Sequence, residues 1–137
     1  WLREALPDAD VVIGTDIDPT AARFEGVVQH DFHEPMSGDY SGMKFDLIYS
    51  NSHDHCRNPT KALSTWLEQL SDSGCLILEH SRSHGRRYQS DIDCWGIEPE
   101  ILPFFLIHNF SVEITNMVVL SESDGHMLLV IKKRTRK

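Results

Sequence analysis

The 137-residue chain predicts an α/β protein built on a doubly wound, mostly parallel sheet that ends in an antiparallel hairpin. Three observations predict it. Apolar runs of strand length recur between loops and helical segments. One amphipathic helix separates two apolar runs, which makes a βαβ unit and forces those two strands parallel. Near the C-terminus two further runs are joined by only four residues, which forces antiparallel pairing.

Taken in order, "DVVIGTDI" is a β-branched run of strand length that stops at Pro19. "GVVQHDF" is a shorter strand, followed by the Gly-, Pro- and Ser-rich loop "HEPMSGDYSGMK". "FDLIYSNS" and "GCLILEHS" are the third and fourth apolar runs. The helix between them, "NPTKALSTWLEQL", has Asn58 as its N-cap and Pro59 at its first position, where a missing N–H costs nothing. Ala62, Leu63, Trp66, Leu67 and Leu70 give it one apolar stripe, and "SDSG" stops it. "EPEILPFFLIHN" reads as a second helix with Pro103 in its first turns. "SVEITNMVVLS" and "HMLLVIKKR" are the closing strands, joined by the turn "ESDG".

The length suits one domain, residues 1–137, with 132–137 as a basic tail. Hydrophobic content of 40% and charged content of 25% are those of a globular protein, and no apolar run approaches the ~18 residues of a membrane span. "WLREALPDAD" has no basic region followed by an apolar core, so it does not read as a signal peptide. Cys56, Cys75 and Cys94 are odd in number and far apart, which argues against a disulfide framework and for a reducing cytoplasm. Five of the 13 basic side chains lie in the last six residues, so residues 1–131 carry 8 basic against 21 acidic groups. A body that acidic repels phosphate backbones, which argues against nucleic acid as a partner.

The order of elements and four stretches together resemble the class I S-adenosylmethionine-dependent methyltransferases, whose Rossmann-like sheet has a reversed last strand. "VIGTDIDPTA" is similar to the family's second strand; the resemblance implies a ribose-binding acid at Asp16, with Ile17 beside it. "VVQHDFHEP" is similar to the third strand and implies an adenine contact at Asp31 with Phe32 lining the ring. "FDLIYSNSHDHCRNPTKAL" is similar to the fourth strand and its loop, matching Phe45, Asp46, Ser50, Asn51 and His55, with Ser50 and Asn51 as cofactor-binding positions. "LSDSGCLILEHS" is similar to the fifth strand, although Ser-Asp-Ser-Gly replaces the usual Lys-Pro-Gly-Gly turn.

The resemblance runs from about Ala9 to Arg134. It lacks the family's first strand and glycine-rich loop, since "WLREALPDAD" looks like the end of the helix that follows them. Its implied activity is methyl transfer from S-adenosylmethionine to a small-molecule or saccharide-like acceptor in a full-length form, and weak or absent turnover in this chain. That first strand is central in the family, so its loss leaves two strand edges to satisfy: the second strand pairs directly with the fourth, a second copy fills the gap, or the product is unstable. Two other readings stay open. One is a non-catalytic module that keeps the fold and forms a homo-oligomer. The other is a nicotinamide-dependent Rossmann protein, disfavoured by the terminal hairpin and by the acid after the third strand.

Six of the eight histidines lie just past predicted parallel strands: His30, His33, His53, His55, His80 and His84. Strand C-terminal edges are where open α/β sheets place their sites. His53, His55 and His80 are the candidates for a general base, since an imidazole suits deprotonation of a hydroxyl or amine. No spacing matches a zinc signature, so no metal is expected. "YQSDIDCWGIEPEIL" is where the family often builds its acceptor pocket, with Tyr88, Asp91, Asp93 and Trp95 as candidate lining.

Overall fold

The computed structural model describes residues 2–134. Trp1, at the start of the expected N-terminal helix, and Thr135, Arg136 and Lys137 of the basic tail lie outside them. A short helix α1 (Leu2–Ala5) precedes strands β1 (Gly14–Asp16) and β2 (Val27–Gln29). Strand β3 (Phe45–Ser50), helix α2 (Pro59–Gln69) and strand β4 (Leu70–His80) form the expected βαβ unit. Helix α3 (Leu102–Asn109) then leads into the hairpin β5 (Val112–Ser121) and β6 (His126–Lys133). No helix among the described residues is long and apolar enough to cross a membrane.

The strands make two sheets. β1 and β2 pair in parallel, and a four-stranded sheet has the order β3-β4-β6-β5. β3 and β4 are parallel, whereas β6 inserts between β4 and β5 and runs antiparallel to both. The antiparallel part is therefore larger than one hairpin. Direct pairing of β1 with β3, one of the expected outcomes, does not occur among the described residues; a cleft lies between them.

Several boundaries differ from the sequence reading for identifiable reasons. "DVVIGTDI" shrinks to three paired residues because only β2 offers a ladder, and only over that length. "SDSG" is not a turn but a bulge within β4: Phe45 pairs with Leu70 and Leu47 with Cys75, so Ser71–Gly74 arch out of the ladder. A Cβ on Gly74 would sit 2.7 Å from the Phe45 carbonyl oxygen, which explains glycine there. The helix expected from Glu98 begins only at Leu102, with Pro103 in its first turn. The hairpin turn closes through Gly125 at φ 63°, a left-handed conformation that suits glycine.

One face of the four-stranded sheet carries the core. Leu76, Leu78, Leu129 and Ile131 are fully buried with Leu63 of α2 and Leu102 and Leu106 of α3, and Leu67 packs beside them. The other face, with Leu47, Cys75, Ile77, Leu128 and Val130, is only half-buried. Alternation along β4 and β6 sets these two faces apart.

Helix α2 also ties the small sheet to the large one. Trp66 Nε1 donates to the Phe32 carbonyl at 2.9 Å and Thr65 Oγ1 to that of His33 at 3.1 Å. Gln69 Oε1 accepts from the Met36 amide at 2.8 Å, and Lys61 pairs with Glu34. Four side chains of one helix thus grip the segment that leaves β2.

Candidate functional site

The C-terminal ends of β1, β2 and β3 border a cleft of ≈ 500 Å³ between the two sheets. All six residues singled out as cofactor-binding line it: Asp16, Ile17, Asp31, Phe32, Ser50 and Asn51. They come from three separate strand ends: parallel pairing sets those of β1 and β2 side by side, and the end of β3 lines the same cleft from the other sheet.

Four of them are fixed by local chemistry. Asp16 Oδ1 accepts from the Asp18 amide at 2.8 Å, which closes the turn after β1, and Asp18 in turn caps the 3₁₀ helix Pro19–Arg23 through the Thr20 amide. Asp31 Oδ1 accepts from the His33 amide at 2.9 Å and lies 2.7 Å from His33 Nδ1. These contacts, the amide first, hold its carboxyl below the usual carboxylate range. The Phe32 ring meets Trp66 edge-on, with centroids 5.5 Å apart. Ser50 Oγ accepts from the Ser52 amide at 3.2 Å.

The three candidate bases separate. The 3₁₀ turn His53–His55 sends neighbouring side chains different ways, so His55 is exposed and lines the cleft while His53 is fully buried. His80, the last residue of β4, is also fully buried, and neither it nor His53 lines the cleft. His55 Nε2 stands 3.1 Å from Asp93 Oδ1 and 3.9 Å from Asp54 Oδ1. Of the other acceptor-pocket candidates, Trp95 packs against Phe105 and His53, whereas Tyr88 and Asp91 stay exposed outside the cleft.

The buried histidines form a defined chain. His80 Nε2 lies 3.0 Å from the Ile97 carbonyl, which only accepts, so this nitrogen carries the proton and His80 Nδ1 is bare. His53 Nε2, 2.8 Å from that bare nitrogen, must then donate to it. His53 Nδ1 is left as a lone pair with no donor among the described residues. Burial, and after it the nearby imidazoles of His80, His84 and His55, pushes His53 well below its ordinary pKa. Burial and then His84 lower His80 to about 4.

A triad absent from the sequence reading lies on the half-buried sheet face. Tyr49 donates to Glu79 Oε2, and His126 Nε2 donates to Glu79 Oε1 at 2.7 Å. The two bonds, Tyr49 first, lower the Glu79 pKa, while burial and then the hydrogen bond to Glu79 push the Tyr49 hydroxyl up to about 12. A glutamate at the end of the apolar run "CLILE" was the available signal. Its partners on β3 and β6 follow only from the strand order.

No family model and no curated protein matches the chain. Solved structures do. LepI in complex with SAM superposes with a TM-score of 0.72 at 11% identity, over 97% of this chain and 39% of LepI. A S-adenosylmethionine-dependent methyltransferase from Clostridium acetobutylicum ATCC 824 gives 0.68 at 12% identity, over 96% and 79%. The N-methyltransferase NodS from Bradyrhizobium japonicum WM9 gives 0.62 at 16% identity, over 95% and 76%. The chain thus spans about two fifths of LepI and about three quarters of the other two. The split parallel sheet, the inserted last strand and these superpositions lead to one conclusion: the chain has the fold of the class I S-adenosylmethionine-dependent methyltransferases.

Proposed function

We propose that this chain serves S-adenosylmethionine-dependent methyl transfer to a small-molecule acceptor, holding the adenosine half of the cofactor in the cleft. The observation that carries this reading is the convergence of Asp16, Ile17, Asp31, Phe32, Ser50 and Asn51 on one cavity. The residues fit the group. Asp16 has one carboxylate oxygen committed to its turn and a second available to a ribose hydroxyl. Asp31 is an anion with acceptor capacity for an adenine amino group, and Phe32 offers an aromatic wall fixed by Trp66. The cavity is within the ~300–1,000 Å³ range of small-molecule sites.

The bound cofactor supplies an electrophilic methyl group on a sulfonium. The chain supplies a base: His55, whose Nε2 stands 3.1 Å from the Asp93 carboxylate at the cleft wall, takes the acceptor's proton. Three free cysteines, Cys56 among them buried, fit a reducing compartment such as the cytoplasm.

Calorimetric titration with S-adenosylhomocysteine tests the cleft. Saturable binding should weaken ~10-fold or more in Asp16→Ala, since a hydrogen bond to a charged group is worth ~1.5–3 kcal/mol. Asp18→Ala, which loses the neighbouring cap alone, should bind nearly as the parent does. Equal losses in both variants would mean that the turn, not a ribose contact, is what Asp16 supports.

A second reading, a self-associating module, is favoured by the edge strand β5, where Met117, Val118, Val119 and Leu120 are all exposed. It predicts a mass at least twice 15.7 kDa in solution and indifference to nucleosides.

A further inference from the structure

The imidazoles of His53, His80 and His84 come from the turn after β3, the end of β4 and the 3₁₀ turn Arg82–His84, yet they close on one another. Their ring centroids are 4.9, 5.1 and 5.5 Å apart, a nearly equilateral triangle, and one nitrogen from each lies within 4.8 Å of the others. Beside them stands Asp54, whose Oδ2 is 3.9 Å from His84 Nε2. Two acceptors in this group have no donor among the described residues: His53 Nδ1 and Asp54 Oδ1, in side chains that are wholly or more than nine-tenths buried. His55 Nε2, at 3.9 Å, is beyond hydrogen-bond reach of Asp54 Oδ1. A buried carboxylate and a buried imidazole lone pair without donors are both costly: a cation held through His53 Nε2 offsets the Asp54 charge, and the proton that Nε2 gives up fills the lone pair at Nδ1.

We propose that His53, His80 and His84 form a binding site for a divalent transition cation of the Zn²⁺ class, with Asp54 as the adjoining carboxylate. Nitrogen-rich, thiolate-free ligation of this kind suits such ions over Mg²⁺ or Ca²⁺. His80 is already set as ligands of this kind are, with Nε2–H anchored on the Ile97 carbonyl and Nδ1 bare. His53 Nε2 and His80 Nδ1, 2.8 Å apart, need to open only to the ~3.3 Å that two Zn–N bonds of ~2.0–2.1 Å subtend in a tetrahedral site. The proton between them moves to His53 Nδ1, so His53 stays neutral and no charge is stranded. His84 is the adjustable ligand: its side chain is 19% exposed, and it exchanges the bond its Nδ1 accepts from the Ser81 amide for the coordinate bond.

The cation would fasten the segment 82–97 onto the turn 53–55. That segment is already attached there by the Trp95 amide on the Asp54 carbonyl at 2.8 Å, and the Ile97 amide on the His84 carbonyl at 3.1 Å closes the segment on itself. It carries Asp93, the partner of His55, so the site lies one layer in from the wall of the cleft.

The test is a competition titration of the whole metal-free chain with Zn²⁺ against a chromophoric chelator. One Zn²⁺ per chain is expected, with affinity in the micromolar range or tighter. His84→Gln should weaken it ~10-fold or more while far-UV circular dichroism stays unchanged. His108→Gln, on the exposed side of α3, should bind as the parent does. With Co²⁺ in place of Zn²⁺, four-coordinate ligand-field bands should appear in the parent and vanish in His84→Gln. No binding, parental affinity in His84→Gln, or an equal loss in His108→Gln would each overturn the site.

Discussion

Replacing Trp66 with alanine is expected to lower stability by ~3–5 kcal/mol, the range for deleting a large buried aromatic side chain. Trp66 is 6% exposed, packs in the core cluster and holds the Phe32 carbonyl through its indole N–H. The loss should not spread evenly. β1 and β2 share no ladder with the larger sheet, so the grip of α2 on residues 32–36 is a main attachment. Amide hydrogen exchange should therefore quicken first in 27–36, with β4 and β6 still protected. Trp66→Phe keeps most of the apolar bulk and loses only the indole donor, which should cost ~1 kcal/mol from the missing bond. If exchange in 27–36 is unchanged in Trp66→Ala, the small sheet is held by something other than α2.

The same side chains show what a sequence reveals and what it hides. The helix α2 was legible because a cap, a proline and an apolar stripe are local signals, and the structure uses each: Asn58 caps through the Lys61 amide at 3.0 Å, and Ala62, Leu63, Trp66 and Leu67 are buried. The βαβ unit and the hairpin followed from connection length alone. Strand extents were less legible, because the ladder length of β1 depends on its partner rather than on its own apolar run. Within "HDH" the residue types are nearly degenerate. Only the turn decides that His53 turns into the core and His55 toward the cleft. The pairs His55–Asp93, His53–His80 and Glu79–His126 join residues 27 to 47 positions apart, and no periodicity in one chain encodes them. Asp16 carries a turn and lines the cleft at once, so a capping reading and a binding reading of its sequence context do not exclude each other.

The buried imidazoles make acid sensitivity the other large expected effect. With a chelator present, stability should fall steeply as pH drops below ~6.5, the ordinary histidine pKa that the unfolded chain restores. The sign follows from proton counting. His53 and His80 have folded-state pKa values below the unfolded one, the latter at about 4, so unfolding takes up protons between these limits. Stability is complete above ~6.5 and declines toward pH 4, each withheld proton contributing a slope of ~1.4 kcal/mol per pH unit. For His80 the whole window amounts to ~3 kcal/mol, and with His53 the slope between pH 6 and 5 should approach ~2.5 kcal/mol per unit. Asp31 and Glu79, whose folded pKa values are lowered, add their own loss at the acid end, below the window in which the histidines dominate. Urea midpoints measured at half-unit steps from pH 7.5 to 5 give this slope directly. A slope near zero would mean that the two rings are protonated inside the fold, and the bond between His53 Nε2 and His80 Nδ1 would then need a different proton arrangement. Repeating the series with saturating Zn²⁺ should stiffen the chain above pH 6 and steepen the fall below it, because protons and the cation compete for the same nitrogens.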